Sequence, residues 1–172
     1  NFTGRRDGSS RFGPDKRFAN FFAGGAAWLF SNEPFLKNST KYLSFGKLRA
    51  SYGTTGNDQI GDYQYLDVWS NSPYPYQGPS VTPLRLLNRD YSWEVNRKME
   101  FGIDLGFLKD DILLSAVYYL NKSSNQLINY RLPGQTGFTS IIKNFPAVVS
   151  NEGFEFSFTS KNLNTKNFKW NL

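Results

Sequence analysis

Cysteine and histidine are both missing from the 172 residues of the chain. Without cysteine there can be no disulfide framework and no thiolate metal site, and without histidine the commonest metal ligand and general base is gone. No uninterrupted apolar run approaches the length of about 18 residues that a transmembrane helix needs, which excludes a helical membrane protein. Any catalysis would rest on carboxylates, lysine, tyrosine, serine or threonine. The glycines around Gly102 and Gly106 lack the GxGxxG spacing and the following helix of a phosphate-binding loop.

What the chain does have is rings. Sixteen Phe, ten Tyr and four Trp make up 17% of the residues, yet the mean hydropathy is only −0.52. Apolar character is thus carried by aromatics scattered among polar residues, a composition that suits pleated, half-exposed strands. The net charge of +6 comes partly from Arg5, Arg6, Arg11, Lys16 and Arg17. A basic, aromatic chain is one design for holding nucleic acid. Here Asp7 and Asp15 sit among the same arginines, so this segment reads as a solvated charged loop and no nucleic-acid partner is expected. The lack of an initiator Met and of a signal peptide, with a stop at Leu172 inside a strand-like run, reads as a fragment.

The clearest period lies between Glu94 and Phe107. Met99, Phe101, Ile103, Leu105 and Phe107 alternate with Lys98, Glu100, Gly102, Asp104 and Gly106, which is a strand with one apolar and one very polar face. These 14 residues span roughly 45 Å at ~3.3 Å each, or roughly 35 Å of height when tilted by about 40°. That is enough to cross the ~25 Å apolar band of a membrane β-barrel, whereas globular strands are typically about 5 to 6 residues long. Weaker alternation marks residues 18–30, 42–54, 112–121 and 151–160, and Phe168, Trp170 and Leu172 open a further strand, giving about six. Phe154, Phe156 and Phe158 form the apolar set of the 151–160 strand.

Connections read as alternately short and long: 31–41 short to medium, 56–93 long, 108–111 tight, 122–149 long, 161–167 short. An antiparallel meander crossing a membrane sorts its loops in this way, with tight turns at one rim and extended loops at the other. The fold class expected is therefore all-β, a stretch of antiparallel transmembrane barrel. Phe101, Ile103, Leu105, Phe154, Phe156 and Phe158 are expected to face lipid or lipopolysaccharide, and Lys47, Arg49, Lys98, Glu100, Asp104 and Glu155 the lumen. A charge at Gly102, on the polar face, is expected to be electrostatically acceptable. In the first long loop, Tyr63, Tyr65, Trp69, Tyr74 and Tyr76 are the candidates for contact with a ligand or a covering protein, although packing within the loop is the readier explanation, since a loop of this length needs internal contacts to be ordered.

Four segments, "RRDGSSRFG" (5–13), "KLRASYGTTGNDQIGDYQYL" (47–66), "WEVNRKMEFGIDLGFL" (93–108) and "LPGQTGFTSIIKNFPAVVSNEGFEF" (132–156), taken in order, resemble the SusC/RagA family of TonB-linked outer-membrane transporters of Bacteroidota. The resemblance implies a C-terminal portion of a 22-stranded barrel, with the plug domain, the TonB box and the remaining strands outside this sequence. It implies nutrient uptake, of oligosaccharides or peptides, together with a SusD-like surface lipoprotein and with TonB and its inner-membrane motor. No enzyme activity, cofactor or metal is implied. Asp110 and Asp111 are ordinary turn charges, and Glu100 and Asp104 stand roughly 13 Å apart along one strand, too far for a retaining carboxylate pair. Asn38, Ser39 and Thr40 match a glycosylation sequon, which carries no weight in a bacterial protein. The alternative is a soluble, aromatic-rich β-sandwich that binds carbohydrate, in which the apolar faces would meet across a core.

Overall fold

The computed structural model describes residues 1–37, 42–72, 80–164 and 168–172. Seven antiparallel strands form one sheet: β1 (Phe2–Gly8), β2 (Phe18–Trp28), β3 (Leu43–Asn57), β6 (Glu94–Phe107), β7 (Ile112–Arg131), β8 (Ser140–Asn164) and β9 (Lys169–Asn171), neighbours in that order. Between β3 and β6, strands β4 (Val68–Ser72) and β5 (Ser80–Arg85) make a separate two-stranded ribbon. Asn38, Ser39, Thr40, Tyr74, Tyr76 and the connection at 165–167 lie outside the described residues.

The expected alternating strands are all present, but two segments differ from their expectation. Residues 2–8, read as a charged loop, are strand β1, paired with β2 from Phe2↔Gly24 to Gly8↔Phe18. Charges at Arg5, Arg6 and Asp7 hide its alternation. What fits it to β2 is complementarity across the pair, since the Phe22 and Phe18 rings lie against the backbone at Gly4 and Gly8.

The second difference is larger. Residues 122–149 are no long loop: β7 continues to Arg131, β8 starts at Ser140, and 132–139 alone connect them. The cause is a bulge. Register slips between Ser124↔Val148 and Gln126↔Phe145, with Asn125 at φ 60. A bulge reverses which parity faces which side, so a period-two pattern read across it dissolves. Pro146 sits in this irregularity, where a missing N–H costs no ladder bond.

At one end of the sheet the connections are 9–17, 58–93 and 132–139; at the other, β6 and β7 are joined by 108–111. We call these the loop rim and the turn rim. The tight turn holds Leu108, Lys109 and Asp110 at φ 54, 61 and 66, a left-handed run that side chains normally avoid. Ser44 pins it: its Oγ donates to Asp110 Oδ1 at 2.6 Å and accepts from the Asp110 N–H at 3.0 Å.

Register fixes the two faces. Ala50, Phe101, Tyr118 and Phe154 form one row, and Leu48, Ile103, Ala116 and Phe156 the next. This apolar face is open: Phe154 is 69% and Phe156 79% exposed, and among the described residues no second sheet covers them. A sandwich would have buried these rings. The buried core lies instead on the other side of the sheet, at the loop rim, where Phe12, Phe21, Tyr91 and Trp93 come together.

Candidate functional site

The polar face brings Lys47, Arg49, Lys98, Glu100, Asp104 and Glu155 to one side of the sheet. Lys47 pairs with Asp104, Ser51 with Glu100, Gly53 with Lys98, and Arg49 with Gly102, which continues through Val117 to Glu155. Arg49 reaches diagonally over Gly102 to place Nε 3.4 Å from Asp104 Oδ2, and Ser115 Oγ donates to Asp104 Oδ1 at 2.7 Å. Tyr119 lies in the same way over Gly153. Arg49, Glu100, Tyr119, Asn121, Asn151 and Glu155 line an open groove of ≈ 380 Å³. A guanidinium, two carboxylates, a phenol and two amides in one groove suit a hydrated, hydrogen-bonding wall.

Gly102 is the point where shape, not charge, sets the limit. A Cβ there would lie 2.7 Å from Arg49 Nε and 2.8 Å from its Cζ. The expectation at Gly102 concerned charge alone; the added constraint there is space, because any side chain must displace Arg49. Gly102→Val should displace Arg49, open the Arg49–Asp104 contact and destabilise the barrel by about 1–3 kcal/mol, read as a lowered unfolding midpoint. An unchanged midpoint would mean that Arg49 swings away freely.

At the loop rim the chain folds back over the polar face. Phe12 stacks at a tilt on Trp93 with centroids 5.1 Å apart, and Phe21 meets Trp93 edge-on at 5.7 Å. Trp93 Nε1 donates to the Arg17 carbonyl at 3.2 Å, so the one polar atom of that ring is satisfied. Ile60, Tyr65, Leu127 and Ile142 pack around the cluster, which ties the 58–93 segment both to the β1–β2 connection and to the β7–β8 hairpin. Burial pushes the Tyr91 phenol above its ordinary value, with Arg85 opposing, so it stays protonated at neutral pH.

Polar clamps hold the same segment. Arg11 donates from Nε to Asp62 Oδ1 at 3.0 Å and from Nη1 to the Asp58 carbonyl at 2.9 Å. Asn125 Nδ2 donates to Ser92 Oγ and to the Trp93 carbonyl, while Asn144 Nδ2 donates to the Ser92 and Asn125 carbonyls and its Oδ1 accepts from the Ser92 N–H. The bulge at Asn125 thus aims an amide at the start of β6. Asn88 Nδ2 reaches the Ile142 carbonyl at 2.9 Å. Sequence reasoning missed Asn125 and Asn144. The available signs of a bulge were Pro146 within the strand-like "FPAVV" run and an asparagine, Asn125, in the facing segment, a residue type that tolerates positive φ.

The loop candidates divide. Tyr65 belongs to the packed cluster, which favours its packing role. Tyr63 is 61% and Trp69 55% exposed, the latter on β4 with Nε1 donating to Asp67 Oδ2 at 3.1 Å. Tyr130, also unforeseen, stands exposed on β7 with Lys143 Nζ 3.7 Å from its ring centre. Among the described residues no cluster of acidic or other ligating groups could hold a metal ion.

Comparison with known proteins agrees with this geometry. The chain is 36% identical over 166 residues to TonB-dependent receptor P39 of Formosa agariphila, covering 96% of this chain and 16% of that receptor. It is 33% identical over 178 residues to TonB-dependent receptor SusC of Bacteroides thetaiotaomicron, covering 99% of this chain and 18% of SusC. The structure of the RagAB peptide importer in the closed-closed state superimposes with a TM-score of 0.86 at 28% identity, over 98% of this chain and 18% of that one. The chain therefore spans less than a fifth of the length of these relatives. All 172 residues match the family model described as TonB dependent receptor-like, beta-barrel. The chain belongs to the TonB-dependent receptor β-barrel family, a family of receptors and transporters rather than enzymes, and its open sheet is a section of an outer-membrane barrel wall.

Proposed function

We propose that the whole receptor imports a nutrient of the oligosaccharide or peptide class, drawing energy from TonB through a plug domain and working with a SusD-like surface lipoprotein. In this reading Phe101, Ile103, Leu105, Phe154, Phe156 and Phe158 meet lipid. Lys47, Arg49, Lys98, Glu100, Asp104 and Glu155 line the lumen around the plug. The loop rim is extracellular, and Tyr63 and Trp69, with Tyr74 and Tyr76, are offered to ligand or lipoprotein. The relative named as a peptide importer supports a cargo of this class. The observation that carries the reading is the division of one unclosed sheet into a bare aromatic face and a charged, hydrogen-bonded face. Only a barrel with lipid outside and water inside makes both faces stable.

Topology is testable with single cysteines in an otherwise cysteine-free receptor, because this section has none of its own. A thiol reagent that cannot cross the outer membrane should label Asn71→Cys in intact cells. Asp110→Cys should stay unlabelled until the cells are broken. Labelling of the Asp110 variant in intact cells would invert the topology and remove the basis for placing ligand or lipoprotein at the loop rim.

A further inference from the structure

The apolar face ends abruptly toward the loop rim. On β6 its band runs through Phe107, Leu105, Ile103, Phe101 and Met99, roughly 26 Å along the strand or about 20 Å of height after tilting, close to the ~25 Å of a barrel's apolar girdle. The next position on that face is Arg97. On β7 the corresponding band of Ile112, Leu114, Ala116, Tyr118 and Leu120 ends at Lys122. Register places the two cations directly opposite each other, in a row Thr54–Arg97–Lys122–Ser150.

Like charges directly opposite on neighbouring strands repel, with Cβ atoms about 5 Å apart. Nothing in the described residues offsets this pair. Arg97 and Lys122 are both exposed, and neither makes an ion pair or a side-chain hydrogen bond. The nearest carboxylate on this face, Glu152, stands opposite Leu120, diagonal to Lys122, and accepts a hydrogen bond from the Tyr118 hydroxyl at 3.1 Å. Arg6, by contrast, already has a use, with its guanidinium 4.9 Å from the centre of the Phe18 ring. Thr54 Oγ1 is bonded to the Phe22 backbone, which leaves the Ser150 hydroxyl as a further donor in the row.

We propose that Arg97 and Lys122, assisted by the Ser150 hydroxyl, form a binding site for the phosphate of an outer-leaflet phosphorylated glycolipid. This deepens the barrel-wall reading and rests on it, since that reading puts the row at the height where acyl chains give way to headgroups. A phosphate dianion fits the row for three reasons. It removes the repulsion within the pair. Arginine presents a fork to two phosphate oxygens while lysine supplies a point charge. And the lipid's acyl chains would lie down the Phe101–Tyr118–Phe154 row just below. The site would fix lipid at the seam between β6 and β7.

The test uses the whole receptor, purified in detergent and titrated by native mass spectrometry with a phosphorylated lipid A and with its dephosphorylated counterpart. Wild type should prefer the phosphorylated form. Arg97→Gln and Lys122→Gln should each weaken that form by about tenfold and leave the dephosphorylated form unchanged. The charge-conserving pair Arg97→Lys with Lys122→Arg should retain most of the preference, and chelation of divalent ions should not abolish it. Equal binding of both lipids by wild type, or unchanged binding by the Gln variants, overturns the proposal. So does loss on chelation, which would point to a cation bridge through Glu152. Inorganic phosphate competing at millimolar levels would mark a free-anion site instead and also overturn it. The wall reading is checked separately by Ile103→Trp in bilayers containing brominated lipid. Quenched fluorescence with indifferent Gln variants sinks this proposal alone, whereas unquenched fluorescence sinks the orientation beneath it.

Discussion

Ile103→Arg in the whole receptor should cost about 2 to 4 kcal/mol of folding stability in a bilayer, the penalty for a cation at the midplane of a barrel's lipid face. Ile103 lies in the middle of the apolar band, flanked across the strands by Leu48 and Ala116, so an arginine there has no partner within its row. Its reach to the headgroup level is poor, because two further apolar rows separate it from Arg97. The same residue introduced at Ser51, one strand over and on the opposite face, should cost little, since Glu100 is its cross-strand neighbour. Denaturant unfolding from lipid bilayers compares the two. Equal costs for both variants would mean that the faces are not divided between lipid and water.

How far the sequence announced this fold depends on where period two survives. Strand β6 was legible because nothing interrupts its alternation, and the two faces it defines carry over by register to Lys47, Arg49 and Glu155 on other strands. Strand β1 was illegible because its outward and inward positions both carry arginine, and its fit to β2 depends on rings meeting glycines across the pair, as Phe22 does at Gly4 and Phe18 at Gly8. The β7–β8 extension was lost to the bulge opposite Asn125, where β8 carries one extra residue between Phe145 and Val148 and its alternation changes parity. The candidate site was half visible. Composition marked the aromatic segment after Gly56, but only three-dimensional packing distinguishes Tyr65, held in the cluster, from Tyr63 and Trp69, which project from the surface.

That distinction sets the second large effect. Trp93→Ala should destabilise the loop rim by about 3–5 kcal/mol, the usual cost of deleting a buried aromatic side chain, while Trp69→Ala should change stability by no more than about 0.5 kcal/mol. Trp93 ties its own segment to Phe12 in the β1–β2 connection and to Phe21 on β2, with Tyr91 of that segment also against Phe12. Its removal also takes one of two hydrogen bonds from the Arg17 carbonyl, which keeps the Ser9 N–H. The strands below are held by their own ladders, so the loss should be local. Hydrogen exchange of residues 58–93 should accelerate by orders of magnitude, and protease added to intact cells should cut within that segment, with the amides of β6 and β7 below Met99 still protected. In Trp69→Ala the exchange pattern should match wild type while ligand or lipoprotein binding weakens, separating a residue that builds the rim from one that the rim presents. If Trp93→Ala left the 58–93 amides as protected as before, the Asn125, Asn144 and Arg11 hydrogen bonds alone would be holding the segment, and the aromatic cluster would be a passive filling.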